Sequence, residues 1–127
     1  MGRGSAGDTE HLRKGRETED LALAFLEQHG LTCIDRNFQT RMGEIDLIMD
    51  EKGTLVFVEV RYRRDRRFGG ALASIDHRKQ GRLLAAARYY LSKRAVDRPV
   101  RFDVIAMERR EDGTAALDWI KDAIREN

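Results

Sequence analysis

Residues 43–61 read Gly-Glu-Ile-Asp-Leu-Ile-Met-Asp-Glu-Lys-Gly-Thr-Leu-Val-Phe-Val-Glu-Val-Arg, two alternating runs on either side of a polar, glycine-containing break. Alternation with period two predicts a strand on each side, and the β-branched residues of the second run reinforce it. Asp50-Glu51-Lys52-Gly53 reads as a four-residue turn, with Gly53 free to take a positive φ. On the first strand Ile45, Leu47 and Met49 share one face, and Glu44, Asp46 and Ile48 the other. On the second, Val56, Val58 and Val60 share one face, and Leu55, Phe57, Glu59 and Arg61 the other. With Met49 paired to Thr54, Glu44 stands opposite Glu59 and Asp46 opposite Phe57. Asp46 is then the diagonal neighbour of Glu59, roughly 7–8 Å away. Carboxylates that close repel unless a cation lies between them. An all-oxygen set suits a hard divalent ion. A solvated hairpin face is the plain alternative, because most charged residues are surface residues. Against it, Leu55, Phe57 and Ile48 share the face with the acids.

The chain has 127 residues, 36% of them charged, with a formal net charge of +2. That length fits one domain. The near-neutral total excludes a uniformly basic binder, but residues 61–67 concentrate five arginines. Cys33 is the one cysteine, which excludes an intramolecular disulfide and a cysteine-based zinc site. No long apolar run predicts a transmembrane helix, and the N-terminus carries no apolar signal core. A cytoplasmic protein without membrane association is the expectation. The chain also lacks a glycine-rich phosphate loop, so no nucleotide cofactor is expected.

Residues 1–10 are glycine-rich and polar and read as a disordered tail, leaving 11–127 as a single domain. A helix is predicted from about His11 to His29, stopped by Gly30. A short strand follows over 32–38, then the hairpin, then a basic loop over 64–74. A second helix starts near Ser74 or Asp76 and runs to about Arg94 before Pro99. Residues 100–107 alternate as a strand, 111–113 as a turn, and 116–120 as an edge strand before a short terminal helix. The order α-β-β-β-α-β-β predicts an α/β fold with a central mixed sheet flanked by helices.

Asp46 followed by Glu59-Val60-Arg61 resembles the Asp…Glu-X-Lys signature of the restriction-endonuclease-like nucleases. Several further stretches match in order. They are Glu19-Asp20 and its helix, Arg36-Asn37-Phe38, Gly43–Ile48, Phe57–Val60, Lys79-Gln80, Ala87–Leu91 and Arg101–Val104. Together they resemble the small bacterial YraN-like, endonuclease-related proteins, which are similar to archaeal Holliday-junction resolvases. The resemblance implies a restriction-endonuclease-like core and Mg²⁺- or Mn²⁺-dependent hydrolysis of DNA, branched or single-stranded. It implies Asp46 and Glu59 as metal ligands, with the Val60 carbonyl as a third, Glu19 contributing from the first helix and Glu44 assisting. It places Lys79 and Gln80 near the phosphate or the attacking water. By analogy with the resolvases it implies a homodimer. Arg61 departs from the pattern, which has lysine there. Arginine keeps its charge but does not act as a base. Arg61, Arg63, Arg64, Arg66, Arg67 and Lys79 are the expected nucleic-acid contacts, since arginine forks match phosphates. Tyr62 and Phe68 interleave with them. The alternative function is a nucleic-acid-binding protein that keeps the nuclease fold with catalysis impaired. A scaffold that pairs through an exposed strand edge is a third. Asp103, between Phe102 and Val104, reads as structural, paired with an arginine.

Overall fold

The computed structural model describes residues 6–63 and 77–124. Helix α1 spans Ala6–Gln28, so it starts earlier than the pattern from His11 suggests. Three strands follow: β1 (Thr32–Gln39), β2 (Glu44–Glu51) and β3 (Thr54–Arg63). Helix α2 covers His77–Arg94, and β4 (Val100–Arg109) and β5 (Ala115–Ile120) complete the chain. The expected order is the observed one. The predicted caps Ser74 and Asp76 lie outside the described residues, as does the loop 64–74. The expected terminal helix does not form in 121–124. None of the described helices is long and apolar enough to cross a membrane.

The strands form one sheet in sequence order, β1-β2-β3-β4-β5. Every neighbouring pair is antiparallel except β3 and β4, which run parallel because α2 carries the chain across. The helices cover opposite faces. Ala22 and Leu26 of α1 pack on Leu47, Met49, Val56, Val58 and Ile105. Leu83, Ala86, Ala87 and Tyr90 of α2 pack on Ile48, Leu55, Phe57 and Val104. Phe57 lies edge-on to Tyr90 at 5.7 Å and stacks on Phe102 at 5.4 Å. Alternate residues of the central strands therefore enter two separate cores. This explains why β3 reads as a near-continuous apolar run.

The turn between β2 and β3 is shorter than predicted. Glu51 pairs with Thr54, leaving Lys52 (φ 49°) and Gly53 (φ 94°) as a two-residue loop. Two consecutive positive φ values make a type I′ turn, whose twist matches the strands it joins. The register moves accordingly, with Met49 opposite Val56 and not Thr54, and Phe57 opposite Ile48 and not Asp46.

Asp103 is the one fully buried carboxylate of the described core. It accepts the Nε and one terminal nitrogen of Arg101, each at 2.8 Å. The Trp119 indole N–H and the Asp122 backbone N–H complete its shell, both at 2.9 Å. Arg101 also reaches Glu51 at 2.7 Å. The hydrogen bonds to Asp103 hold the guanidinium more firmly protonated than usual. One carboxylate thus joins β4, β5, the turn after β5 and, through Arg101, the end of β2. The structural role and arginine partner read from the sequence hold. Removing one partner of such a group leaves the rest buried and unpaired. Asp103→Ala should therefore cost about 3 kcal/mol in urea unfolding, whereas Ala115→Ser on the edge strand should change the midpoint little.

Candidate functional site

Besides a register shift in β1 between Cys33 and Asp35, the regular sheet fails in the row of Asp46. Between β1 and β2 the pairs Arg36–Leu47 and Phe38–Ile45 bracket Asn37 and Asp46, which stand opposite without pairing. Asn37 has a φ of 51°, a left-handed conformation that turns its backbone out of the ladder. Between β2 and β3 the ladder ends at Leu47–Val58, one step before Asp46 would meet Glu59. There the Asp46 carboxylate accepts the Val60 N–H at 2.8 Å. A side chain has replaced a strand carbonyl as the partner of that N–H. The alternation of β2 slips at the same place. Ile45 and Ile48 both enter the α2-side core, whereas Leu47 and Met49 enter the α1-side core. Strict alternation, with Ile45 and Leu47 on one face, is thus corrected.

The shift of register brings the acids closer than the sequence suggests. Asp46 stands across from Glu59, not diagonal to it, and the two carboxyl groups share a hydrogen bond. Burial, the bond to Glu59 and the charge of Glu59 push the Asp46 carboxyl up to about 8, against the pull of the Val60 N–H. Glu19 of α1 is also raised, first by burial and then by the negative charge of Asp46. Asn37 donates a hydrogen bond to Glu19, and Arg36 lies 3.7 Å from Glu19 and 2.8 Å from Asp20. These two β1 residues hold the α1 acid toward the pair.

On the other side, a cavity of about 180 Å³ is lined by Glu44, Glu59, Arg61, Lys79, Arg82 and Leu83. The Nε of Arg61, like that of Arg36, is buried without a hydrogen-bond partner. The structure thus gathers Asp46, Glu59, Glu19, Glu44, Arg61 and Lys79, all singled out in the sequence. Gln80 is half-buried and does not line the cavity. Tyr62 is 38% exposed at the end of β3. The Arg63 side chain, Arg64, Arg66, Arg67 and Phe68 lie outside the described residues. Sequence reasoning missed Arg82 and the work of Asn37. Arg82 sits three residues past Lys79, one helical turn on, and that spacing is the signal that could have found it.

The donor chemistry fits a hard divalent cation. Every candidate ligand is a carboxylate, apart from the Val60 carbonyl. Within a strand, N–H and C=O of one residue leave by the same edge, so that carbonyl faces the β2 side with Asp46. Among the described residues no three acidic, histidine or cysteine side chains already converge on one point. The pair Asp46–Glu59 is the assembled part, with Glu19 near enough to feel the charge of Asp46 and Glu44 lining the adjoining cavity with Glu59.

The raised Asp46 pKa has a direct consequence for stability. An aspartate at 3.8 in the unfolded chain and about 8 in the fold binds its proton more tightly when folded. Folding stability from this group is therefore complete below the unfolded value and is lost as pH rises through the folded one. In a chelator, the melting temperature should fall as pH climbs across that window. Asp46→Asn should flatten the fall, and millimolar Mn²⁺ should restore the wild-type melting temperature at the alkaline end. Thermal melts in matched buffers check all three.

The model of the uncharacterised protein family UPF0102 matches residues 18–107, from the acidic turn of α1 to β4. That span contains every residue of the acid cluster and cavity. A UPF0102 protein of Nitrosococcus oceani is 47% identical over 117 residues, covering 91% of this chain and 94% of the relative. One from Pseudomonas syringae pv. tomato is 49% identical over 115 residues, covering 86% and 90%. One from Methylococcus capsulatus is 48% identical over 110 residues, covering 87% and 89%. With the family model matching most of the chain and relatives this similar along most of their length, the protein belongs to the UPF0102 family, the YraN-like proteins.

Proposed function

We propose that this protein is a Mg²⁺- or Mn²⁺-dependent endonuclease of the restriction-endonuclease-like kind, hydrolysing phosphodiester bonds in branched or single-stranded DNA. The observation that carries the reading is the Asp46 carboxyl meeting that of Glu59 beside a cavity lined by Arg61, Lys79 and Arg82. Acids alone would suit any cation, and cations alone any anion. Both sets in one small space suit a metal ion together with a phosphate. Asp46 and Glu59 would hold the ion, with Glu19 or Glu44 completing its shell. When bound, the ion supplies Lewis acidity and lowers the pKa of water. Asp46 is fixed for this by the Val60 N–H, and Glu59 by its place in the β3–β4 ladder opposite Val104. Arg61 offers a permanent charge to the phosphate oxygens and takes no proton. A homodimer, as junction cleavage would require, belongs to the same reading.

Arg61 also favours a second reading, in which the fold binds nucleic acid and catalysis is impaired at the lysine position. The two diverge in one assay. With Mn²⁺ and branched, single-stranded and duplex DNA, the nuclease reading predicts cleavage that Asp46→Asn lowers at least about 100-fold, as loss of a metal-held charge does. The binding reading predicts metal-independent, salt-sensitive binding without cleavage, and cleavage gained by Arg61→Lys. Absence of both binding and cleavage on all three DNA forms would contradict both.

A further inference from the structure

Gly43 immediately precedes the acids of β2, and its backbone touches α2. A Cβ built on Gly43 would come within 2.2 Å of the Arg82 carbonyl oxygen and 2.9 Å of the Arg82 Cβ. Real Cβ atoms do not approach backbone that closely, so any side chain here must push α2 off the sheet. The φ of Gly43 is not in the left-handed region, so close approach, and not turn geometry, is the constraint. The β1–β2 loop cannot yield easily. Thr40 Oγ1 accepts the N–H groups of Met42 and Gly43, both at 3.0 Å. The Thr40 N–H in turn reaches the Gly43 carbonyl at 2.8 Å. Gly43 is therefore a rigid stop on which the first turns of α2 rest.

That contact sets the width of the cavity. Glu44 and Glu59 line it from the sheet, and Lys79, Arg82 and Leu83 from α2, with Arg61 between. Three cations face two carboxylates there, and one Arg61 donor is buried without an acceptor. Carboxylates already present have not satisfied that donor. A further anion with several acceptor oxygens would do so, and phosphate has that form.

We propose that Arg82 is a phosphate-binding residue of this cavity and that Gly43 is its positioning residue, holding α2 close enough for Arg82 and Lys79 to reach a phosphodiester bound beside the acid pair. The proposal rests on the nuclease reading, and it separates the two halves of the site. The acids lie on β2 and β3 and do not depend on α2 for their spacing. Displacing α2 removes phosphate binding and spares the metal.

The experiment measures two affinities on each variant, Mn²⁺ by calorimetry and a fluorescein-labelled single-stranded 12-mer by anisotropy in Ca²⁺ over a salt series. Gly43→Ala should keep Mn²⁺ affinity within about twofold. Its DNA affinity should fall roughly tenfold or more, as loss of one or two charge-assisted hydrogen bonds gives. Arg82→Gln should fall similarly, with a salt slope smaller by about 0.7, the value for one single-strand phosphate. Arg82→Lys should recover part of the loss. Arg110→Gln, an equal charge change at the β4–β5 turn, should leave DNA affinity near wild type. Arg82 is exposed, so the Arg82 variants carry the test if Gly43→Ala does not fold. Arg82→Gln matching Arg110→Gln overturns the proposal. So does Gly43→Ala losing Mn²⁺ and DNA alike, which would make Gly43 merely structural. Wild-type protein that binds neither Mn²⁺ nor the 12-mer contradicts the nuclease reading itself.

Discussion

The Asp46 carboxylate accepts the backbone N–H of Val60, and much of the site's geometry follows from that bond. It ends the β2–β3 ladder one row early, so strand carbonyls no longer consume every donor and acceptor at that point. It accompanies the slip in β2 alternation that sends Ile45 and Leu47 into different cores. It also fixes the Asp46 carboxylate beside that of Glu59. A sheet that stayed regular here would pair Asp46 as an ordinary strand residue and bury no acid pair.

That arrangement is held from three sides. Asn37 and Arg36 on β1 bring the Glu19 carboxylate toward it from α1. The parallel pairing of β3, the central strand, with β4 fixes Glu59 opposite Val104. Gly43 lets α2 settle onto the other side. One residue along β4 from Val104, the partner of Glu59, Asp103 ties β4 and β5 to the end of β2 through Arg101. The two carboxylates show how partners decide a role. Asp103 has four donors around it and serves the fold, whereas Asp46 has one backbone donor and a neighbouring acid, an arrangement that costs stability without a cation.

The element order was legible because period-two and helical patterns in this chain are clean, and because glycines at 30, 53 and 113 adopt the positive φ their turns need. The site residues were legible from the acids of the hairpin and from the resemblance of the flanking stretches. The register was not. Lys52 takes a positive φ that few lysines adopt, and this closes the turn in two residues and puts Asp46 across from Glu59. The left-handed Asn37 left no trace in the alternation of 32–38. Arg82 looked like any solvent-facing arginine, because its meaning comes from a backbone contact with Gly43 that lies across the fold.

The central claim is that Asp46 and Glu59 form a cation site built on an interrupted sheet. Anomalous scattering from a crystal soaked in millimolar Mn²⁺ tests it most directly. The account predicts one peak between the two carboxylates, within ligand distance of both and on the side of the Val60 carbonyl. A crystal with no peak there, or with the manganese bound elsewhere, would contradict it.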